Sequence, residues 1–175
     1  MTKRFLLGKT SAIAFLILPV LALTFLSNTE PTLADHHDEV KGLSPQDYEQ
    51  IKALYARYNQ GSDFRDTELF LSAFSEDAVM TREGGNIVGM KELRADRARR
   101  YQGKTGDVGR RHINGSYLIT PTSEGAEART YYLLMDVTVR PPNVISSGYY
   151  EDKFVKTDDG WKIKHRTLYR DTLDY

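Results

Sequence analysis

Four long β-prone segments fill the C-terminal part of the chain, at residues 110–121, 126–139, 146–156 and 161–170. Only a few turn-forming residues separate each from the next. Ser123-Glu124-Gly125 joins the first pair. Pro141-Pro142-Asn143 joins the second pair, and prolines cannot occupy a central strand because they lack a ladder donor. Asp158-Asp159-Gly160 is a strong hairpin signal. Such a run makes antiparallel neighbours, and the preceding residues must then cover one face of the sheet.

The preceding residues read as helices. Ser44 is an N-cap, Pro45 suits the first helical position, and Asp47 can answer the cap three residues on. Leu43 and Tyr48 have the spacing of a hydrophobic staple. Tyr48, Ile51, Leu54, Tyr55 and Tyr58 recur at helical period, and Gly61 breaks the pattern. Asp66 can cap a second, shorter helix carrying Leu69, Phe70 and Phe74. A short strand begins at Asp77, Gly84-Gly85-Asn86 turns, and Ile87-Val88-Gly89 is extended. An arginine-rich third helix covers residues 90–101, and Gly103, Gly106 and Gly109 mark a mobile loop. The predicted class is α+β, with three N-terminal helices packed on one face of a curved antiparallel sheet.

The first residues read as an address. Lys3, Arg4 and Lys9 precede an apolar stretch from Ser11 to Leu26, and Thr32-Leu33-Ala34 supplies small residues for a cut. This is the three-part pattern of a secretory signal over residues 1–34, followed by a linker at 35–43 and a domain at 44–171. The rival is a retained membrane anchor; the apolar run and Pro19 within it weaken a spanning helix. The expected location is periplasmic or secreted, with no stable membrane anchor once the signal is cut. His36, His37 and Asp38 would then lie in a solvated tail.

Composition narrows the chemistry. The 175 residues hold 24 Lys and Arg against 24 Asp and Glu, which argues against a nucleic-acid partner. Cysteine is absent, which excludes disulfides, thiolate metal sites, iron–sulfur clusters and cysteine nucleophiles together. There is no phosphate-cradling glycine motif, no Gly-x-Ser-x-Gly elbow and no His-Glu-x-x-His pattern. No metal and no cofactor is expected. Chemistry must come from His, carboxylates, Tyr, Ser and Arg.

Tyr58 lies on the apolar stripe, so its ring faces inward and its hydroxyl needs a partner. Asp63 follows five residues later, about 140° around an unbroken helix, and Gly61 would let the chain turn it back inward. A carboxylate beside aromatic rings suits a general base near neutral pH; it equally suits a cap for the loop before Asp66. On the first long strand, alternation groups His112, Asn114, Ser116 and Leu118 against Ile113, Tyr117 and Ile119. His112 is either a proton shuttle or a structural histidine. Asp136 sits amid apolar residues on the same face as Tyr132 and can orient His112 or pair with an arginine. Tyr150 and Asp152 form either part of the pocket or a structural pair with an arginine such as Arg166. The arginines between Lys91 and Arg111 either draw an anion to the pocket rim or form a solvated helix face, and the second is preferred.

Several segments in order resemble the SnoaL-like branch of the nuclear transport factor 2-like superfamily. They are Ile51-x-x-Leu54-x-x-Arg57-Tyr58 with Asp63, Phe74-Ser75-Glu76-Asp77-Ala78, Arg111-His112, Gly148-Tyr149-Tyr150-Glu151-Asp152, and Asp159-Gly160-Trp161-Lys162-Ile163 with Arg166. Ketosteroid isomerase, scytalone dehydratase, bile acid 7α-dehydratase and the ring-hydroxylating dioxygenase β subunits look similar. The resemblance implies a conical, cystatin-like fold around a deep pocket. It says little about the reaction, since the superfamily holds dehydratases, isomerases, hydrolases and non-catalytic members. In similar dehydratases the positions matching Tyr58, Asp63 and His112 serve the active site, and the preferred reading is a cofactor-independent dehydratase or isomerase acting on a small cyclic molecule. An acid near Asp136 in similar dehydratases is offset by about one residue. Tyr132, Asn114 and Tyr150 would touch the ligand. A non-catalytic ligand-binding or assembly domain of the same fold is the alternative. A homodimer across the outer sheet face, using Ile113, Tyr117 and Ile119, is the expected assembly.

Overall fold

Ser44 starts the first helix through the capping box that its spacing predicts. Its hydroxyl accepts from the Asp47 backbone N–H at 3.2 Å, and the Asp47 carboxylate accepts from the Ser44 N–H at 2.9 Å. The computed structural model describes residues 42–172. The expected signal at 1–34, residues 35–41 of the linker and the His36-His37-Asp38 cluster lie outside the described residues.

Helix α1 (Pro45–Asp63) buries Ile51, Leu54, Tyr55 and Tyr58, the stripe read from the sequence. Gly61 does not end it. A Cβ at Gly61 would overlap the backbone of Phe70, so this glycine permits close approach of the next helix, α2 (Thr67–Leu71). Asp66 caps α2 by accepting from the Leu69 N–H at 2.9 Å. Phe74 falls beyond that helix, at the start of strand β1 (Phe74–Arg82). A short β2 (Gly85–Val88) and α3 (Gly89–Tyr101) follow. Strands β3 (Arg110–Thr122), β4 (Gly125–Asp136), β5 (Asn143–Thr157) and β6 (Gly160–Arg170) complete the chain.

The six strands lie in the order β2-β1-β6-β5-β4-β3. Every neighbouring pair is antiparallel except β1 and β6, which are parallel, so the sheet is mixed. The helices cover the face bearing Ala128, Thr130, Tyr132, Tyr150, Phe154 and Ile163. Burial of each large side chain stabilises by roughly 1.5–3 kcal/mol.

A bulge corrects the simple alternation on β3. Ser116 takes φ +53°, and the register slips between Gly115 and Leu118. Before the bulge, Ile113 points outward; after it, Leu118 is exposed while Ile119 joins the core. Tyr117 meets Tyr55 edge-on at 5.2 Å. Of the three residues assigned to the outer face, Ile113 alone stays there, because one extra residue shifts the phase of a period-two strand.

The loop after α3, with its three glycines, is tied to its surroundings. Arg65 Nη1 donates to the carbonyls of Thr105, Gly106 and Asp107, and the Val108 N–H donates to the Asp63 carbonyl at 2.9 Å.

Candidate active site

The end of α1 and the start of β3 meet at a single carboxylate. Asp63 is 3 % exposed. Its Oδ2 accepts from the His112 backbone N–H at 3.0 Å, and its Oδ1 lies 2.6 Å from His112 Nδ1. A carboxylate so placed selects the tautomer with hydrogen on Nδ1, which leaves a neutral imidazole its lone pair on Nε2. Asp63 thus holds the place beside His112 Nδ1 that the sequence reading gave to Asp136. It reaches the interior as the last residue of an unbroken helix, without a turn at Gly61.

Asp136 is a correction. Its carboxylate accepts from the Thr138 N–H at 2.9 Å and the Thr138 hydroxyl at 2.6 Å, and it faces Arg110 across the ladder. These hydrogen bonds hold its carboxyl below the usual range. It closes the strand end and does not touch His112. Asn114 is a second correction. Its amide is bonded to Asn59 at 2.5 Å and to the Tyr131 carbonyl at 3.2 Å, and it lines a cleft between α1 and β3.

Tyr58, Asp63, His112, Tyr132 and Tyr150 all line one cavity of about 490 Å³. Tyr58 lies edge-on to His112 with ring centres 6.4 Å apart, and edge-on to Tyr150 at 5.7 Å. Tyr132 stacks on Tyr150 at 5.0 Å and shares a hydrogen bond with Ser146 at 3.1 Å. Burial pushes the Tyr150 phenol well above its ordinary value. The space is large enough for a small ring compound, and its walls combine four tyrosines with six arginines around the Asp63–His112 pair. Among the described residues no cluster of three or more His, Asp or Glu side chains is arranged to hold a metal.

Asp152 belongs to the core, not to this cavity. Arg166 and Asp152 are both fully enclosed, with Nε–Oδ1 at 2.7 Å and Nη2–Oδ2 at 2.9 Å. The Tyr55 hydroxyl donates to the same carboxylate at 2.6 Å. The guanidinium also lies over the Tyr55, Tyr58 and Tyr150 rings at 4.8, 4.3 and 4.2 Å. The structural pairing offered for Asp152 is the observed one.

The arginine-rich helix keeps a solvated face: Lys91, Glu92, Arg94, Arg99 and Arg100 are exposed. Asp96 and Arg97 depart from that reading, buried at 3 % and 6 % exposure. Arg82, Arg97 and Arg100 all bond to Asp96. Burial pushes the Asp96 carboxyl up, but hydrogen bonds from Arg82 and Arg97 and the surrounding charges hold it at about 2. Arg82, Arg97 and Arg100 line the cavity and were missed as site residues. The available signal was the spacing of Met90, Leu93, Arg97 and Tyr101, which places Arg97 in an apolar stripe.

A model of the SnoaL-like domain family matches residues 44–167. The chain belongs to the SnoaL-like family. Solved structures support the same fold for the SnoaL-like domain. A protein of unknown function from Nostoc punctiforme, described as having a cystatin-like fold, is 22 % identical; the match covers 76 % of this chain and 97 % of that one, with a TM-score of 0.67. A protein of unknown function from Mycobacterium tuberculosis is 26 % identical over 75 % of this chain and 78 % of that one, with a TM-score of 0.63. ActVI-ORFA from Streptomyces coelicolor is 22 % identical over 71 % of this chain and 97 % of that one, with a TM-score of 0.61. No curated protein matches the chain significantly.

Proposed function

We propose that this SnoaL-like domain is a cofactor-independent lyase or isomerase, acting on a small cyclic organic molecule by acid–base chemistry. The observation that carries the reading is the Asp63–His112 pair on the wall of a cavity lined by tyrosines and arginines. His112 Nε2 takes a proton from a carbon next to a carbonyl group. Asp63 stabilises the resulting imidazolium, as a carboxylate does for a histidine base. The Tyr58 hydroxyl donates to the oxyanion that develops on the carbonyl. The proton then returns from Nε2 either to a leaving hydroxyl, which departs as water, or to another carbon. Ketosteroid isomerase, a worked case in general acid–base theory, uses related carboxylate and phenol chemistry.

The test is proton exchange. Cyclic β-hydroxyketones are incubated with the protein in deuterated water and followed by proton NMR for exchange or loss of water. Asp63→Asn and His112→Ala should each lower the rate by roughly 10²–10⁴ while leaving the fold intact. Unchanged turnover in Asp63→Asn would sink the assignment. Binding without exchange across the panel would favour the alternative, a non-catalytic ligand-binding module.

The proposed setting is periplasmic or extracellular, on the basis of the charged, apolar and small-residue pattern over residues 1–34. The proposed partner is a second copy of the chain. Ile113 and Leu133 face each other across β3 and β4, and Tyr131, Tyr149 and Tyr169 form a row across β4, β5 and β6. Ile113, Tyr131, Leu133 and Tyr169 are exposed on this outer face. The neighbouring Arg129–Glu151 pair gives it both signs of charge, which suits a surface pairing with itself about a two-fold axis.

A further inference from the structure

The cavity is strongly one-sided in charge. Arg65, Arg82, Arg97, Arg100, Arg110 and Arg170 line it, with Asp63 as its carboxylate, and Asp63 is taken by His112. Under one corner lies Asp96, bonded by Arg82, Arg97 and Arg100, with Arg99 at 4.0 Å. One carboxylate among four guanidinium groups leaves three positive charges uncompensated there.

The donors are in surplus as well. Each guanidinium carries five N–H groups in a rigid fork suited to oxyanions. Arg97 gives Nη2 to Asp96, while its buried Nε has no partner. It cannot swing to solvent, because its guanidinium is packed on the Phe70 ring at 4.2 Å. Arg100 gives only Nε to Asp96, and its side chain is half-exposed. Burial, together with the charge of Arg82, pulls Arg100 below its ordinary value despite Asp96, as crowding of like charge requires. A buried, incompletely paired cation is costly unless another group completes it. The same cavity is lined by the stacked Tyr132 and Tyr150.

We propose that the cavity takes an anionic cyclic substrate, with a carboxylate or phosphate group held by Arg97 and Arg100 and the ring against Tyr132 and Tyr150. The placement of the ring beside His112 rests on the acid–base reading above. Asp96 is the positioning residue that gathers the arginines without neutralising them.

The probes are 2-naphthoate, 2-naphthyl phosphate and the neutral methyl 2-naphthoate, titrated calorimetrically into the full chain. At least one anion should bind about tenfold more tightly than the ester, as a charge-assisted contact in a sheltered site supplies. The tighter anion names the source of the oxyanion, and added salt should narrow the gap. Arg100→Gln, at a half-exposed position that spares the core, should remove most of the preference. Asp63→Asn should keep it. Equal binding of ester and both anions overturns the inference, and so does a preference that survives in Arg100→Gln. Anion preference without proton exchange on any substrate overturns the acid–base reading alone. Proton exchange on neutral ketones without anion preference overturns this inference alone.

Discussion

Removing the Asp152 carboxylate should cost more stability than any other single polar truncation at the core. Arg166 is completely enclosed, and Asp152 supplies two of its hydrogen bonds. The Asp152 charge and hydrogen bonds outweigh the effect of burial and hold the guanidinium above its ordinary value. Asp152→Ala would leave a full positive charge facing three tyrosine rings, with the Tyr55 hydroxyl also stripped of its acceptor. Breaking such a pair from one side costs about 3–5 kcal/mol. For a domain of roughly 130 residues the unfolding entropy is about 0.3 kcal/mol per degree. The melting temperature should therefore fall by about 10–17 °C. Differential scanning calorimetry reads this directly. The double variant Asp152→Val/Arg166→Met should recover much of the loss, because it removes both buried charges and nearly keeps the volume. A fall of less than about 4 °C in Asp152→Ala, roughly 1 kcal/mol, would refute the claim that this pair is sealed from water.

Gly61→Ala should destabilise by about 1–3 kcal/mol, although alanine favours helix, since its methyl group meets the Phe70 backbone; a more stable variant in urea would contradict the close approach of α1 and α2. Asp96 has a folded-state carboxyl held at about 2, below its ordinary value of 3.8. Its contribution, about 2 kcal/mol, is present above pH 3.8 and lost as the pH falls through 2. The stability gap between the parent and Asp96→Asn, measured in urea, should shrink along that path, and a constant gap would disprove the linkage. Leu133→Arg should shift the proposed dimer to monomer in sedimentation velocity. A parent chain that sediments as monomer at micromolar concentration would remove the proposed partner.

The helix caps, the apolar stripe of α1, the hairpin turns and the alternation of β4 and β5 were legible, because each is set by neighbours a few residues away. Tyr58, Asp63, His112, Tyr132 and Tyr150 line one cavity, as the inward faces of α1, β4 and β5 read from the sequence allow. The roles within it were less legible. Asp136 and Asp63 were both plausible orienters of His112, and a strand-end carboxylate satisfied by Thr138 two residues on looks in sequence like one free to act. The Ser116 bulge reversed the faces of β3 because nothing in Gly115-Ser116-Tyr117 marks which residue is extra. The parallel β1–β6 pair joins residues far apart in the chain, and no local pattern encodes it. Arg97 was hidden by its type. An arginine in a charged run reads as solvated, and only its position in the helical stripe says otherwise.

The β1–β6 pairing also has a consequence in time. Phe74 lies beside Ile163, and Met80 beside Arg166, so an early strand waits for the last one. Asp47, in the first turn of the domain, likewise receives the Trp161 indole N–H and the Lys156 ammonium, each at 2.7 Å. A ribosome that has delivered five strands has produced a sheet lacking its central link between β1 and β5. Loop closure over such separations is slow. The β1–β2 hairpin therefore cannot join the β3–β4–β5 meander until the last strand is made.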